Sequence, residues 1–411
     1  MTDAGAFEAL LTRIGANRRP MPHADPPVTD APPSARPSLA VILGEGGGAP
    51  GWARALSGLA ERVRWIVPDP DDAKRLQDML TQQTRREGRH PAFSLHPDPG
   101  AARGADLLVI TDAAPALVAE IEPYLAPDAA LFFAGARTAL DALAARVARP
   151  ERLAGLHLPP PASLTTLAEI MLTEATAPDL RALALALAGQ MRRRAVLLPP
   201  GGDCPSLALT GRLWEEVDAL LLAGTAPWEL DETTEEHGWS APGPCLRQDL
   251  AGLDTACALR RQHAARSGRA VAPIAPRMLA EGRLGRRGGV GWYRYPGDGG
   301  PVIDPLMADM CAEEAHFAGI EQHEASTAEI IARLTLAVID EAALLAQTMD
   351  KALPDLVAVD VLGFPARSGG PLTLARALGL PAMEAALEAL ATENPARWAD
   401  APSRLALVSG S

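Results

Sequence analysis

The chain has 411 residues, 48% of them hydrophobic and 22% charged, with 51 acidic against 38 basic side chains and a formal net charge of -13. This length allows two or three domains, and the composition excludes disorder as the main theme. The acidic balance, without a basic patch interleaved with aromatics, speaks against a nucleic-acid partner.

Four cysteines (Cys204, Cys245, Cys257, Cys311) show no CxxC spacing and no neighbouring paired His, so neither a metal site nor a disulfide framework is expected. The first twenty residues lack the apolar core of a signal peptide, and no stretch has the length and apolarity of a membrane span. A cytoplasmic protein is the expectation.

Residues 20–38 are rich in Pro and small residues that hold neither a helix nor a sheet ladder, so residues 1–38 are expected to form a Pro-rich arm. Short apolar runs follow at 39–43 (LAVIL), 63–67 (VRWIV), 107–110 (LLVI), 130–133 (ALFF) and 153–157 (LAGLH). Segments of helical period lie between them, at 52–61, 72–86 and 138–147. Alternating buried strands and helices predict a Rossmann-like, doubly wound parallel sheet over residues 39–200, with further strands at 167–172 and 195–198 flanking a helix at 180–193. Arg192, Arg193 and Arg194 are expected to end that helix, where positive charge complements its dipole.

Past residue 203 the strand signals stop and helices punctuated by Gly and Pro take over. Residues 212–224 (RLWEEVDALLLAG) resemble 333–347 (RLTLAVIDEAALLAQ), and 238–253 resemble 363–380, at offsets of 121 and 125 residues. A near-constant spacing over two separate matches predicts two related all-helical modules, at 201–300 and 325–411. Trp239 and Phe364, each following the Gly of its repeat, are expected to be core anchors.

Directly after the first strand comes Gly44-Glu45-Gly46-Gly47-Gly48-Ala49-Pro50, opening into a helix. Gly44, Gly46 and Ala49 fit GxGxxA: the first allows the tight turn, the second lets backbone approach a pyrophosphate, and the third lets helix pack on strand. Gly44, Gly46, Gly47, Gly48 and Ala49 are therefore candidate contacts to a dinucleotide. The second strand ends Val67-Pro68-Asp69. Asp69 either reaches the ribose hydroxyls or simply starts the next turn with Pro70. With no Arg beside Val67, nothing supports NADP over NAD.

RPERLAGLH at 149–157, the AEI around Glu169, DCP at 203–205, HGWSAPGPCLRQDLAGLD at 237–254, AEGRLGRRGGVGWYRYP at 280–296 and GFPARSGGPL at 363–372 together resemble the 3-hydroxyacyl-CoA dehydrogenase family. They are most similar to the dehydrogenase portion of multifunctional fatty-acid oxidation alpha subunits, which carry a duplicated C-terminal module. The resemblance covers nearly everything from residue 38 onward. The 38 residues ahead of it are too few for a hydratase domain. It implies NAD as cofactor, an acyl-CoA substrate and oxidation of a 3-hydroxyacyl thioester to the 3-oxo form in fatty-acid oxidation.

His157 matches the family's catalytic base, suited to a step that removes a hydroxyl proton while hydride leaves the adjacent carbon. Glu169 matches the carboxylate that orients that imidazole, and Thr138 stands where the family has a substrate-facing hydroxyl. Elsewhere the chain departs from the pattern. Thr111 replaces a Glu, Gly211 replaces an Asn beside Thr210, and Pro159 or Pro160 replaces an Asn following the His. The alternative is a catalytically impaired relative kept for acyl-CoA binding or complex assembly. Its oligomeric form is expected to be a homodimer, or a monomer whose duplicated modules mimic the dimer contact. The remaining His residues are expected to be solvated.

Overall fold

The computed structural model describes residues 4–17, 36–44, 48–87, 92–111, 115–199, 201–202, 204–297 and 299–409. Two compact units emerge: a sheet unit over residues 25–204 with 296–300, and a helical unit built from 1–24, 205–295 and 301–411.

The sheet unit alternates β1 (Leu39–Leu43), α2 (Ala49–Ser57), β2 (Arg62–Ile66), α3 (Pro70–Glu87), β3 (Ser94–His96), β4 (Leu107–Ile110), α4 (Pro115–Ile121), β5 (Ala130–Phe133), α5 (Arg137–Ala144), β6 (Leu153–His157), β7 (Leu167–Met171), α6 (Pro178–Gln190) and β8 (Arg194–Leu197). α1 (Ala4–Ala16) precedes them in the chain and belongs to the other unit. The strand order is β3-β2-β1-β4-β5-β6-β7-β8, the doubly wound arrangement in which the first strand lies at the point where the winding reverses. β1, β4, β5, β6 and β7 are buried along their whole length, which is why they read as apolar runs broken only by His157 at the end of β6 and Glu169 within β7.

Two details depart from the expected parallel sheet. β7 runs antiparallel to β6, because the nine residues 158–166 between them are too few for a crossover helix and can only turn the chain back. β3 has three residues, below what an apolar pattern reveals. The arginines after α6 also differ from expectation. The helix ends at Gln190, Arg192 adopts a left-handed φ of 55°, and Arg194 begins β8. Arg193 turns back to donate to the carbonyls of Ala162 and Thr165.

The helical unit carries α7 (Pro205–Ala223), α8 (Pro227–Glu236), α9 (Pro244–Ala251), α10 (Leu253–Ser267), α11 (Ile274–Ala280), a two-stranded β9 (Tyr293–Arg294) and β10 (Val302–Ile303), then α12 (Leu306–Ala318), α13 (Thr327–Leu345), α14 (Ala352–Val357), α15 (Pro371–Leu378), α16 (Leu380–Glu393), α17 (Pro395–Trp398) and α18 (Ala401–Ser409). The short hairpin interrupts the all-helical region expected after residue 203. Part of the arm expected over 1–38 is also structured. α1 buries Phe7, Leu10 and Ile14 on one stripe and packs on α13, α15 and α16. The Pro-rich stretch at 18–35 lies outside the described residues.

The sequence repeat is a repeat of structure. α7 and α13 are both 19-residue helices, packed on each other, and each module then reaches a short Pro-initiated helix, α9 or α15, through a buried Asp. Asp231 accepts from the amides of Cys245 and Leu246 (2.7 and 2.9 Å), and Asp355 accepts from those of Leu372 and Thr373 (2.6 and 3.2 Å). These carboxylates satisfy N-terminal donors that Pro-led helices leave open. Trp239 and Phe364 are buried and meet edge to face at 5.1 Å, so the two expected anchors pin one module to the other.

Candidate active site

The carboxyl end of β1 leads into the glycine-rich turn. Gly44 has φ 110°, a conformation that a side chain strains, and its carbonyl accepts from the Trp65 indole N–H at 2.7 Å. A buried β2 side chain thus fixes the start of the turn. α2 opens at Ala49, which is fully buried against the sheet as a small third residue must be, and space is open around the Gly48 α-carbon. Backbone N–H groups at this helix start are the donors a pyrophosphate requires, so the described part of the cradle fits a dinucleotide. Gly46 and Gly47, with Glu45, lie outside the described residues. Asp69 is exposed, and its Oδ1 accepts from the amides of Asp71 and Asp72 (2.8 and 3.1 Å), capping α3. Oδ2 is the atom left to meet a ribose.

His157 ends β6 and Glu169 sits directly across from it on β7. Opposite residues in an antiparallel pair project to the same face, so their twelve-residue separation places both side chains together. The His157 Nδ1 lies 3.0 Å from the carbonyl oxygen of Ala134, just past β5. A carbonyl only accepts, so Nδ1 carries the proton and Nε2 presents its lone pair. Nε2 is buried and has no hydrogen-bond partner. An unmet buried acceptor costs roughly 1–3 kcal/mol, which a ligand hydroxyl would recover. Cys204, fully buried, donates its S–H to Glu169 Oε2 at 2.7 Å. A ring nitrogen of His157, a Glu169 oxygen and the Cys204 sulfur all lie within 4.8 Å of one another.

Two parts of the fold hold this arrangement. Arg193 ties down residues 162–165 of the loop that joins His157 to Glu169, reaching the Thr165 hydroxyl at 3.0 Å as well as its carbonyl. The same loop lies against α2, where a Cβ at Gly51 would come 3.2 Å from that of Ala162. The His-bearing turn and the phosphate helix are therefore packed as one body within the sheet unit.

A family model described as 3-hydroxyacyl-CoA dehydrogenase, NAD binding domain, matches residues 111–200, and one described as its C-terminal domain matches residues 208–295. The chain carries both domains of the 3-hydroxyacyl-CoA dehydrogenase family. Among curated relatives, a peroxisomal bifunctional enzyme of Danio rerio is 30% identical over 262 residues, covering 59% of this chain and 36% of that protein. A fatty acid oxidation complex subunit alpha of Idiomarina loihiensis is 28% identical over 294 residues, covering 70% and 40%. The chain thus spans about two fifths of the length of these relatives. A crystal structure of 3-hydroxybutyryl-CoA dehydrogenase from Escherichia coli superposes with TM-score 0.59 at 18% identity over 92% of this chain and all of that one. The dehydrogenase part of a C. elegans multifunctional enzyme gives 0.53 at 18% over 98% and 99%. At these identities the structural likeness shows the fold: a mostly parallel eight-stranded sheet followed by a helical region.

The predicted residues separate into those the fold gathers and those it does not. His157 and Glu169 come together, and Gly44, Gly48 and Ala49 form the described part of the cradle. Thr138 lies exposed in the first turn of α5. Thr111 donates to the Leu43 carbonyl at 3.1 Å, stitching β4 to β1. Gly211 stands on α7 against the ring of His263, where an added Cβ would come 2.6 Å from the His263 Cβ. His263 is correspondingly buried, and its Nε2 lies 3.3 Å from Glu215 Oε2, not solvated as expected. Both residues line a cavity of about 930 Å³ in the helical unit, with Arg269, Glu393 and Arg397.

Sequence reasoning missed Cys204. It lies 35 positions from Glu169, and only the approach of the chain after β8 to the buried middle of β7 reveals it. The expectation that no cysteine neighbours a His rested on spacing along the chain, and the fold bypasses that spacing. Among the described residues no helix is long and apolar enough to cross a membrane.

Proposed function

We propose that this chain catalyses NAD-dependent oxidation of a 3-hydroxyacyl-CoA to the 3-oxoacyl-CoA, with His157 as general base. The observation that carries the reading is the buried, unpartnered Nε2 of His157 with the Glu169 carboxylate beside it. Gly44, Gly48 and Ala49 would hold the pyrophosphate of NAD, which accepts the hydride. His157 Nε2 takes the substrate hydroxyl proton, while Nδ1–H stays on the Ala134 carbonyl and keeps the ring from turning. Glu169, itself held by the Cys204 thiol, stabilises the imidazolium that results, as the carboxylate of a hydrolase triad does for its His. The two domain matches, and relatives named for fatty-acid oxidation, support the substrate class.

The second reading, an impaired relative that binds acyl-CoA or assembles with partners, draws on two observations. The NAD-domain match begins at residue 111, after β1 to β4, and Asp69 spends one carboxylate oxygen on α3. Fluorescence titration with NADH separates the two. The dehydrogenase reading expects saturable binding at micromolar cofactor, and no binding up to millimolar NADH would replace it with the second reading.

A further inference from the structure

We propose that His157, Glu169 and Cys204 also form a binding site for a soft divalent cation, with Zn²⁺ as the best fit, in which the cation takes the place of the Cys204 thiol proton. The three donors come from β6, from β7 and from the chain after β8, and all are buried. They are an imidazole, a carboxylate and a sulfur, the ligand types zinc prefers.

Tetrahedral zinc with bonds of about 2.0–2.3 Å sets its ligand atoms roughly 3.3–3.7 Å apart. The trio already lies within 4.8 Å, with its closest pair at 2.7 Å, so side-chain rotation alone reaches that spacing. Nε2 is buried and partnerless, while Nδ1 meets the Ala134 carbonyl. A backbone carbonyl on the far ring nitrogen is the usual outer support of a metal-bound His, fixing tautomer and ring orientation.

Charge also fits. Cation entry breaks the S–H bond, forms a sulfur–metal bond and releases one proton to solvent, with no change of oxidation state. A carboxylate and a thiolate then balance the two positive charges, so the occupied site is neutral where burial of net charge is most costly. Three protein ligands leave the fourth position open. Because the cation and a substrate hydroxyl both require Nε2, occupancy inhibits. That consequence rests on the dehydrogenase reading, whereas binding itself does not.

The test titrates the metal-stripped full chain with Co²⁺, followed by the near-ultraviolet thiolate-to-cobalt charge-transfer band and by equilibrium dialysis, with Zn²⁺ added as displacer. One equivalent per chain, a band displaced by Zn²⁺, loss of the band in Cys204→Ser and, in Glu169→Gln, binding weakened by at least the roughly 10–100-fold that loss of a mere outer support costs are expected. His157→Gln, expected to weaken binding at least as much, decides the matter if Cys204→Ser fails to fold. The proposal is overturned if no cation is retained up to millimolar Co²⁺, if the band survives in folded Cys204→Ser, or if neither Glu169→Gln nor His157→Gln weakens binding. Turnover without cation binding overturns this proposal alone, and cation binding without NADH binding leaves it standing while overturning the dehydrogenase reading.

Discussion

Replacing Glu169 by Gln removes one charge and little else. The amide oxygen still accepts from the Cys204 thiol, and the residue still faces His157 across the β6–β7 pair. What disappears is the attraction between the carboxylate and the imidazolium formed when His157 takes the substrate proton. With the two groups no more than 4.8 Å apart and an effective dielectric of about 20, that attraction is roughly 3.5 kcal/mol. If it acts in full only in the transition state, its loss lowers kcat by about 300-fold. Initial rates of NAD reduction with a 3-hydroxyacyl-CoA such as 3-hydroxybutyryl-CoA, the direction in which the imidazolium forms, measure this directly. Pairing the change with His157→Ala should give a double variant little worse than His157→Ala alone, since the two residues act as a unit. A Glu169→Gln protein within about threefold of the parent, or a double variant showing the full product of both losses, would refute the assigned roles.

Gly44→Ala strains a backbone at φ 110° and should weaken NADH binding about tenfold or more, read by the same titration that follows the parent. Trp65→Phe removes the indole donor from the Gly44 carbonyl and should cost roughly 1 kcal/mol of stability together with a smaller loss of cofactor affinity, measured by urea unfolding and titration. Asp231→Ala strands two helix amides and the Tyr293 hydroxyl, which donates at 2.8 Å, and should lower stability by about 3–5 kcal/mol in urea unfolding. Burial raises the Asp231 carboxyl to about 7 in the folded chain against 3.8 for a free aspartate, so the stability it contributes is fully present below the lower value and is lost as pH rises through the higher. Asp231→Asn should therefore be more destabilising at pH 5 than at pH 8, and equal penalties at both would contradict this.

Much of the sheet unit is legible because a strand buried on both faces has to be apolar throughout. LAVIL, LLVI, ALFF and LAGLH each announce a strand, and the helices between them follow from period. β3 escapes because three half-exposed residues carry no such pattern, and the reversal of β7 is written in the length of residues 158–166, not in their chemistry. α1 shows its core stripe at Phe7, Leu10 and Ile14, a helical signal overshadowed by the prolines that follow it. His157 and Glu169 are legible as a pair because adjacent strands convert a fixed separation into contact. Cys204, Arg193 and Asp231 are not, since each acts on a partner brought close only by packing. Gly211 shows the converse: a missing side chain in the sequence proves to be the room that His263 occupies.

The central claim is that His157 Nε2 exchanges the hydroxyl proton with the substrate, accepting it when hydride leaves for a nicotinamide held at the Gly44–Ala49 turn and returning it when hydride comes back. Steady-state oxidation of NADH by acetoacetyl-CoA, compared between the parent and a folded His157→Ala variant that still binds NADH, tests it most directly. The account predicts measurable turnover that falls by about 10²–10⁴-fold in the variant with cofactor binding retained. Turnover unaffected by His157→Ala, or none in a parent that binds both NADH and the thioester, would contradict it.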